Sequence, residues 1–132
     1  KEYKTYKDFF IKRFIITKLP QYLIINIKRF SHNFFFKEKN PTLVNYPIKG
    51  LDLQDYVHPN YLSQYKSTTY NLISNVSVDH EPGIADRVNY FVHVLHKHSA
   101  KWFKIRDLQV TEVMPPMVSL SETYLQIWER NK

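Results

Sequence analysis

The sequence predicts an α+β, β-rich domain: an antiparallel sheet with an N-terminal helix. Three observations predict it. Short runs of Val, Ile, Phe and Tyr recur along the chain, the residue types that suit a pleated surface. Turn-forming clusters such as His80-Glu81-Pro82-Gly83 and Met114-Pro115-Pro116-Met117 separate them. Helical spacing is confined to the opening residues. The 132 residues suffice for one domain, 1–132, with a core.

Glu2 to Arg13 reads as the helix, with Tyr6, Phe9, Phe10 and Phe14 on one side. Pro20 stops it. Tyr22 to Phe30 is a strong strand whose nearly continuous apolar start predicts a central place, covered on both faces. Phe34-Phe35-Phe36 reads as an edge strand or hairpin arm, and Thr42 to Tyr46 as a short strand closed by Pro47. Leu51 to Tyr56 is a turn or short helix, and Pro59 to Thr68 a polar loop. Thr69 to Val78 is a strand with Tyr70, Leu72, Ser74, Val76 and Val78 on one face. Asp79 to Arg87 is a loop by composition. Asn89 to Lys97 and Trp102 to Ile105 form a hairpin, followed by strands at Leu108 to Val113 and Thr123 to Trp128.

Composition closes off several functions. There is no Cys, so disulfides, thiolate metal sites and a cysteine nucleophile are absent from these residues. Gly50 and Gly83 are the two glycines, which excludes a P-loop and a dinucleotide loop. No apolar run approaches the ~20 residues of a membrane span. The chain opens on Lys1-Glu2-Tyr3-Lys4 without a starting Met, so a piece of something longer is expected. Ten Tyr, nine Phe and two Trp accompany a net charge of +7. Stacking on RNA is one use of such a set; filling a β-rich core is the plainer one, because most of the rings lie in strand-like runs.

On residues alone the chemistry is sparse. His93, His96 and His98 are close in sequence, but no carboxylate stands at ligand spacing, so a polar hairpin end is the better reading than a metal site. No metal and no cofactor is expected. The basic residues are scattered in pairs, such as Lys12-Arg13 and Lys28-Arg29, with no basic arm.

Five segments in order carry a resemblance. Leu19-Pro20 through Lys28-Arg29-Phe30 resembles the "LPxxLxxxLKRF" strand of the ubiquitin-specific proteases. Tyr70 to Val76, then His80 and Gly83, is similar to their "YxLxAVxxHxG" segment. Val88-Asn89-Tyr90-Phe91-Val92 stands where they have "GHYxxY". Trp102 to Asp107 resembles "WxxFDD", and Thr123 to Trp128 resembles "AYxLFY". Lys1 to Lys7, Glu38 to Thr42, Trp102 through Thr111 and Leu120 to Tyr124 narrow the resemblance to the spliceosomal, tri-snRNP-associated branch of that family.

The resemblance implies the C-terminal, palm half of a papain-like cysteine protease fold, with the nucleophile and a zinc-finger module upstream. It also implies a nuclear protein whose partners are tri-snRNP proteins, with ubiquitin or a ubiquitin-like protein and RNA as further candidates, and no membrane. An active member needs a thiolate, a His base and an acid that orients it. Here the His position falls on Asn89, the preceding Gly on Val88 and the acid on Arg106, with Asp107 its neighbour. An amide has no basic nitrogen. His93 lies about 13 Å along the same strand face at ~3.3 Å per residue, too far to replace it. A cation at Arg106 would oppose an imidazolium. Asp107 would serve as the acid only if the register slipped by one. The expectation is therefore a protease fold with no intact catalytic set, kept as a scaffold in pre-mRNA splicing. The alternative is an active deubiquitinase or a ubiquitin-binding module in the full-length protein.

Overall fold

The computed structural model describes residues 11–32, 37–80 and 88–132. The expected helix falls largely on residues 1–10, and the Phe34-Phe35-Phe36 arm on residues 33–36, both outside the described residues. Residues 11–15 have no regular structure.

Nine strands are described: β1 (Tyr22–Asn26), β2 (Phe30–His32), β3 (Lys37–Lys39), β4 (Leu51–Asp52), β5 (Thr69–His80), β6 (Val88–His96), β7 (Lys101–Arg106), β8 (Gln109–Val113) and β9 (Thr123–Arg130). Two short helices, α1 (Pro59–Leu62) and α2 (Pro115–Ser119), and a 3-10 turn at Gln54–Tyr56 connect them. The main sheet runs β1-β9-β5-β6-β7-β8, with β4 added to β5, and these strands pair antiparallel. A separate ribbon pairs β2 with β3.

Five expectations are corrected. The first strand is not central: among the described residues β1 pairs only with β9 and ends the sheet. Its run of apolar residues splits by the two-residue period, with Leu23 and Ile25 packed on the core while Tyr22 and Ile24 are exposed. Thr42 to Tyr46 is not a strand; its backbone is held instead by side chains, as described below. Pro59 to Thr68 is not all loop, because Pro59 starts α1 and His58 Nδ1 accepts the Asn60 N–H at its N-terminus. The expected face of β5 is broken: the register with β9 shifts between Leu72 and Ser74. Tyr70 and Leu72 face the core before that shift, and Asn75, Ser77 and Val78 are buried after it. The strand also continues through Asp79 and His80, where a loop was expected.

One face of the sheet carries the core: Leu19, Val57, Tyr70, Leu72, Trp102, Val118 and Trp128. The chain from Ile16 to Pro20 is stitched over it. Ile16 N–H donates to Tyr56 O at 2.8 Å, Leu19 N–H to the Tyr65 hydroxyl at 2.9 Å, and the Tyr70 hydroxyl to Pro20 O at 2.6 Å. Arg29 is buried although charged. Its Nε donates to Thr123 O at 2.6 Å, and its Nη1 to Asn40 O and Thr42 O at 3.0 and 2.7 Å. It thereby ties the residues after β3 to the start of β9, which is why Thr42 can be ordered without a strand partner.

Candidate functional site

The β5–β6 register sets Asn75 opposite His93, Ser77 opposite Phe91 and Asp79 opposite Asn89. Residues two apart on a strand share a face, so Asn89, Phe91 and His93 share one. In the β6–β7 pairing His93 lies opposite Lys104, and Val92 opposite Ile105. One more step along that register sets Arg106 opposite Phe91, on the same face and diagonal to Asn89. The structure thus brings Asn89 and Arg106 to one end of two adjacent strands. Val88 sits opposite His80 at the start of β6.

Asp107 is elsewhere. Arg106 pairs with Gln109, so Asp107 and Leu108 form the two-residue turn between β7 and β8. Asp107 has φ 51, a left-handed conformation that Asp tolerates better than most residues. It is exposed, outside the ladder. Phe91 stands between Asn89 and His93, its ring centroid 5.1 Å from that of His93. His96 closes β6 and its Nδ1 is 2.8 Å from Ser99 Oγ, while His98 lies in the following turn. Among the described residues no group of three or more His, Asp or Glu could hold a metal ion.

Deeper on this face lies a buried polar network that residue spacing did not announce. Asn75, Ser77, His93, Thr123 and Gln126 are all buried. Asn75 Nδ2 lies 2.9 Å from the Tyr46 hydroxyl, 3.1 Å from Val118 O and 3.2 Å from Thr123 Oγ1. A backbone carbonyl can only accept, so the nitrogen of the amide must face Val118 O. Asn75 Oδ1 then faces His93 Nδ1 at 2.9 Å, which makes Nδ1 the protonated nitrogen. Nε2 is left as an unprotonated acceptor. Ser121 Oγ donates to Val118 O at 2.8 Å and accepts from Ser77 Oγ at 2.7 Å. The only hint of this network in the sequence was polar Asn and Ser inside the apolar β5 run.

His93 is held neutral. Burial, and next the charge of Lys104, push its pKa down to about 4 from 6.5. The unfolded chain therefore takes up a proton near pH 6.5 that the folded chain refuses until about pH 4. Stability from this group is complete above pH 6.5 and is lost as pH falls through that window. At 1.36 kcal/mol per pH unit the full shift is worth about 3 kcal/mol; solvent reaching the site through the adjoining cleft reduces this to about 1–2 kcal/mol. Urea unfolding at pH 7 and pH 4 should show that loss, and His93→Gln should lose correspondingly less. Equal losses in the two proteins would contradict it.

An antiparallel sheet in this strand order is the fold of the ubiquitin-hydrolase class. The ubiquitin carboxyl-terminal hydrolase model matches residues 2–128, and the chain belongs to that family. It is 52% identical over 130 residues to human ubiquitin carboxyl-terminal hydrolase 39, covering 98% of this chain and 22% of that protein. It is 33% identical over 125 residues to the probable mRNA-splicing protein ubp10 of Schizosaccharomyces pombe, covering 91% of this chain and 24% of the relative. The chain therefore spans about a fifth to a quarter of these relatives. Among solved structures, an essential yeast splicing factor aligns with a TM-score of 0.69 at 28% identity, over 88% of this chain and 26% of that one. The SAGA Ubp8(S144N)/Sgf11(1-72, Delta-ZnF)/Sus1/Sgf73 DUB module aligns with a TM-score of 0.76 at 24% identity, over 89% of this chain and 25% of that one, a likeness of fold. The chain is thus a ubiquitin-hydrolase-like protein with splicing proteins among its relatives.

Proposed function

We propose that this chain is the C-terminal half of a ubiquitin-specific-protease-like domain whose catalytic site is lost. Its work is that of a nuclear scaffold in pre-mRNA splicing, in the assembly or recruitment of the tri-snRNP. The reading rests on the motif resemblance, which aligns Asn89 with the family's His base. An amide cannot take a proton from a thiol at neutral pH. Arg106 on the same face adds a cation where an acid would orient the base. His93 offers no replacement, with Phe91 between it and Asn89 and its Nδ1 already bonded to Asn75. The splicing relatives support the setting. Tri-snRNP proteins are the partners this reading names, and the +7 charge supports an added RNA contact that would weaken steeply with salt.

The full-length protein should not hydrolyse a ubiquitin C-terminal fluorogenic reporter above background. Asn89→His alone should leave it at background, because Arg106 still faces the new base. Turnover by the unaltered protein would overturn the reading. General acid–base catalysis contributes about 10²–10⁴-fold, so a working base would be plain in this assay. Ubiquitin binding without turnover would keep the loss of catalysis and add ubiquitin as a partner.

A further inference from the structure

The face of the sheet turned away from the core is apolar from one edge strand to the other. One cross-strand row runs Ile24, Ile127, Ser74, Val94, Phe103 and Glu112. The next row, through the same pairings, runs Asn26, Leu125, Val76, Val92, Ile105 and Val110. We propose that this face is a permanent internal interface, covered by the part of the same polypeptide that lies upstream of residue 1. The proposal rests on reading the chain as the C-terminal half of a domain, and it adds which surface the rest of the polypeptide covers.

The rows follow from strand alternation. Trp128, Gln126, Asn75, His93 and Trp102 are buried on the core side, and the residues between them point the other way. An antiparallel sheet with one solvated face alternates apolar and polar side chains. Here that alternation fails: apart from Ser74, Asn26 and Glu112, both rows consist of Ile, Leu, Val and Phe. Ile24 and Val110, at the two margins, are 63% and 62% exposed. Among the described residues neither helix covers this face, since Leu62 of α1 and Val118 of α2 pack in the core.

The pattern also narrows the occupant. Charge stands at the rim, where Lys97 pairs with Glu129 at 2.6 Å and Lys101 with Glu112 at 2.8 Å. An apolar centre with a polar rim is the anatomy of an interface. Neither row contains the Lys or Arg that phosphate contacts require, so RNA does not fit. A partner that comes and goes leaves its surface in water part of the time, and such interfaces are only about as apolar as the rest of a protein's surface. Obligate contacts are the ones that resemble a core cut in half, and a free monomer rarely exposes so continuous an apolar patch. The chain spans about a fifth to a quarter of its relatives, which carry ample further polypeptide for the cover.

The test is thiol labelling of the full-length protein, read peptide by peptide by mass spectrometry. Leu108→Cys is the reference, because Leu108 is 99% exposed in the turn between β7 and β8. Ile24→Cys and Val110→Cys should label at least about tenfold more slowly, since each must wait for a local opening, and the protection should not change on dilution. Phe103→p-benzoylphenylalanine should photo-crosslink to residues upstream of residue 1 in the same polypeptide. Val110→Lys, harmless on an open edge strand, should lower the urea midpoint of the full-length protein. Labelling at the rate of Leu108→Cys, or an unchanged midpoint for Val110→Lys, would overturn the proposal. So would protection that fades on dilution, which marks a second copy, and crosslinks confined to residues 1–132 or made to another protein. Reporter hydrolysis by the unaltered protein would end the lost-site reading and leave these outcomes standing, because none of them is read through catalysis.

Discussion

Trp128→Ala is expected to destabilise the protein by about 3–5 kcal/mol, the range for removing a fully buried large aromatic side chain. Trp128 is 0% exposed. It sits on β9 between Leu23 of β1 and Leu72 of β5, so it joins three strands at once. The Tyr46 ring meets it edge-on with centroids 6.1 Å apart, and its Nε1–H donates to Gln126 Oε1 at 3.1 Å. Truncation therefore leaves a void in the middle of the core and strips a buried amide oxygen of its donor. Neither neighbour can collapse into the space without breaking its own strand register. Trp128→Phe, which keeps most of the ring volume, should cost clearly less. The measurement is the urea midpoint at pH 7; a loss below about 1 kcal/mol for Trp128→Ala would mean that this core does not hold the sheet together.

The strands were legible because their side chains announce them. Thr69 onward, Asn89 onward and Trp102 onward are runs of β-branched and aromatic residues, and β5, β6 and β7 follow them within a few residues. The place of a strand in the sheet was not legible. Tyr22 to Ile27 reads the same whether two neighbours cover it or one, and only the pairing with β9 decides. The irregularity at Ile73 is likewise invisible locally, since a bulge is set by what the partner strand carries opposite it. Thr42 to Tyr46 had the composition of a strand but no strand to pair with; Arg29 and Tyr46 hold it through side-chain bonds that span long sequence separations.

The site divides in the same way. Asn89 and Arg106 came from a resemblance of ordered motifs, and the register shows that they share a face. Whether Arg106 or Asp107 ends the strand depends on where the hairpin turns, a matter the motif alone left open; β7 ends at Arg106 and Asp107 takes the turn. His93 read as part of a polar hairpin end with His96 and His98. Only His96 and His98 lie there, and His93 is deep in the sheet because Asn75, two strands' worth of sequence away, stands opposite it.

Asn75→Leu should be the most damaging polar substitution, costing about 2–4 kcal/mol although it adds apolar surface. Leu matches the shape of Asn closely, so cavity formation is not the cause. The cause is the set of groups left behind. His93 Nδ1–H loses its acceptor, and the Tyr46 hydroxyl and Thr123 Oγ1 lose a donor, all inside a region without ready access to water. Each stranded buried group costs about 1–3 kcal/mol, and part of this is recovered because Tyr46 and Thr123 still bond one another at 2.8 Å. His93 has no such second partner. The stranded imidazole would be free to shift its proton to the other nitrogen, so Asn75→Leu should also change which nitrogen is protonated. Long-range nitrogen–proton NMR correlations of the imidazole report that directly: Nδ1–H in the unaltered protein, Nε2–H or a mixture in the variant. Double substitution provides the decisive comparison. With His93→Phe in the background, Asn75→Leu has one fewer group to strand and should cost less than it does alone. If the two losses simply add, the Asn75–His93 bond carries no coupling, and the tautomer argued from Val118 O has no energetic standing.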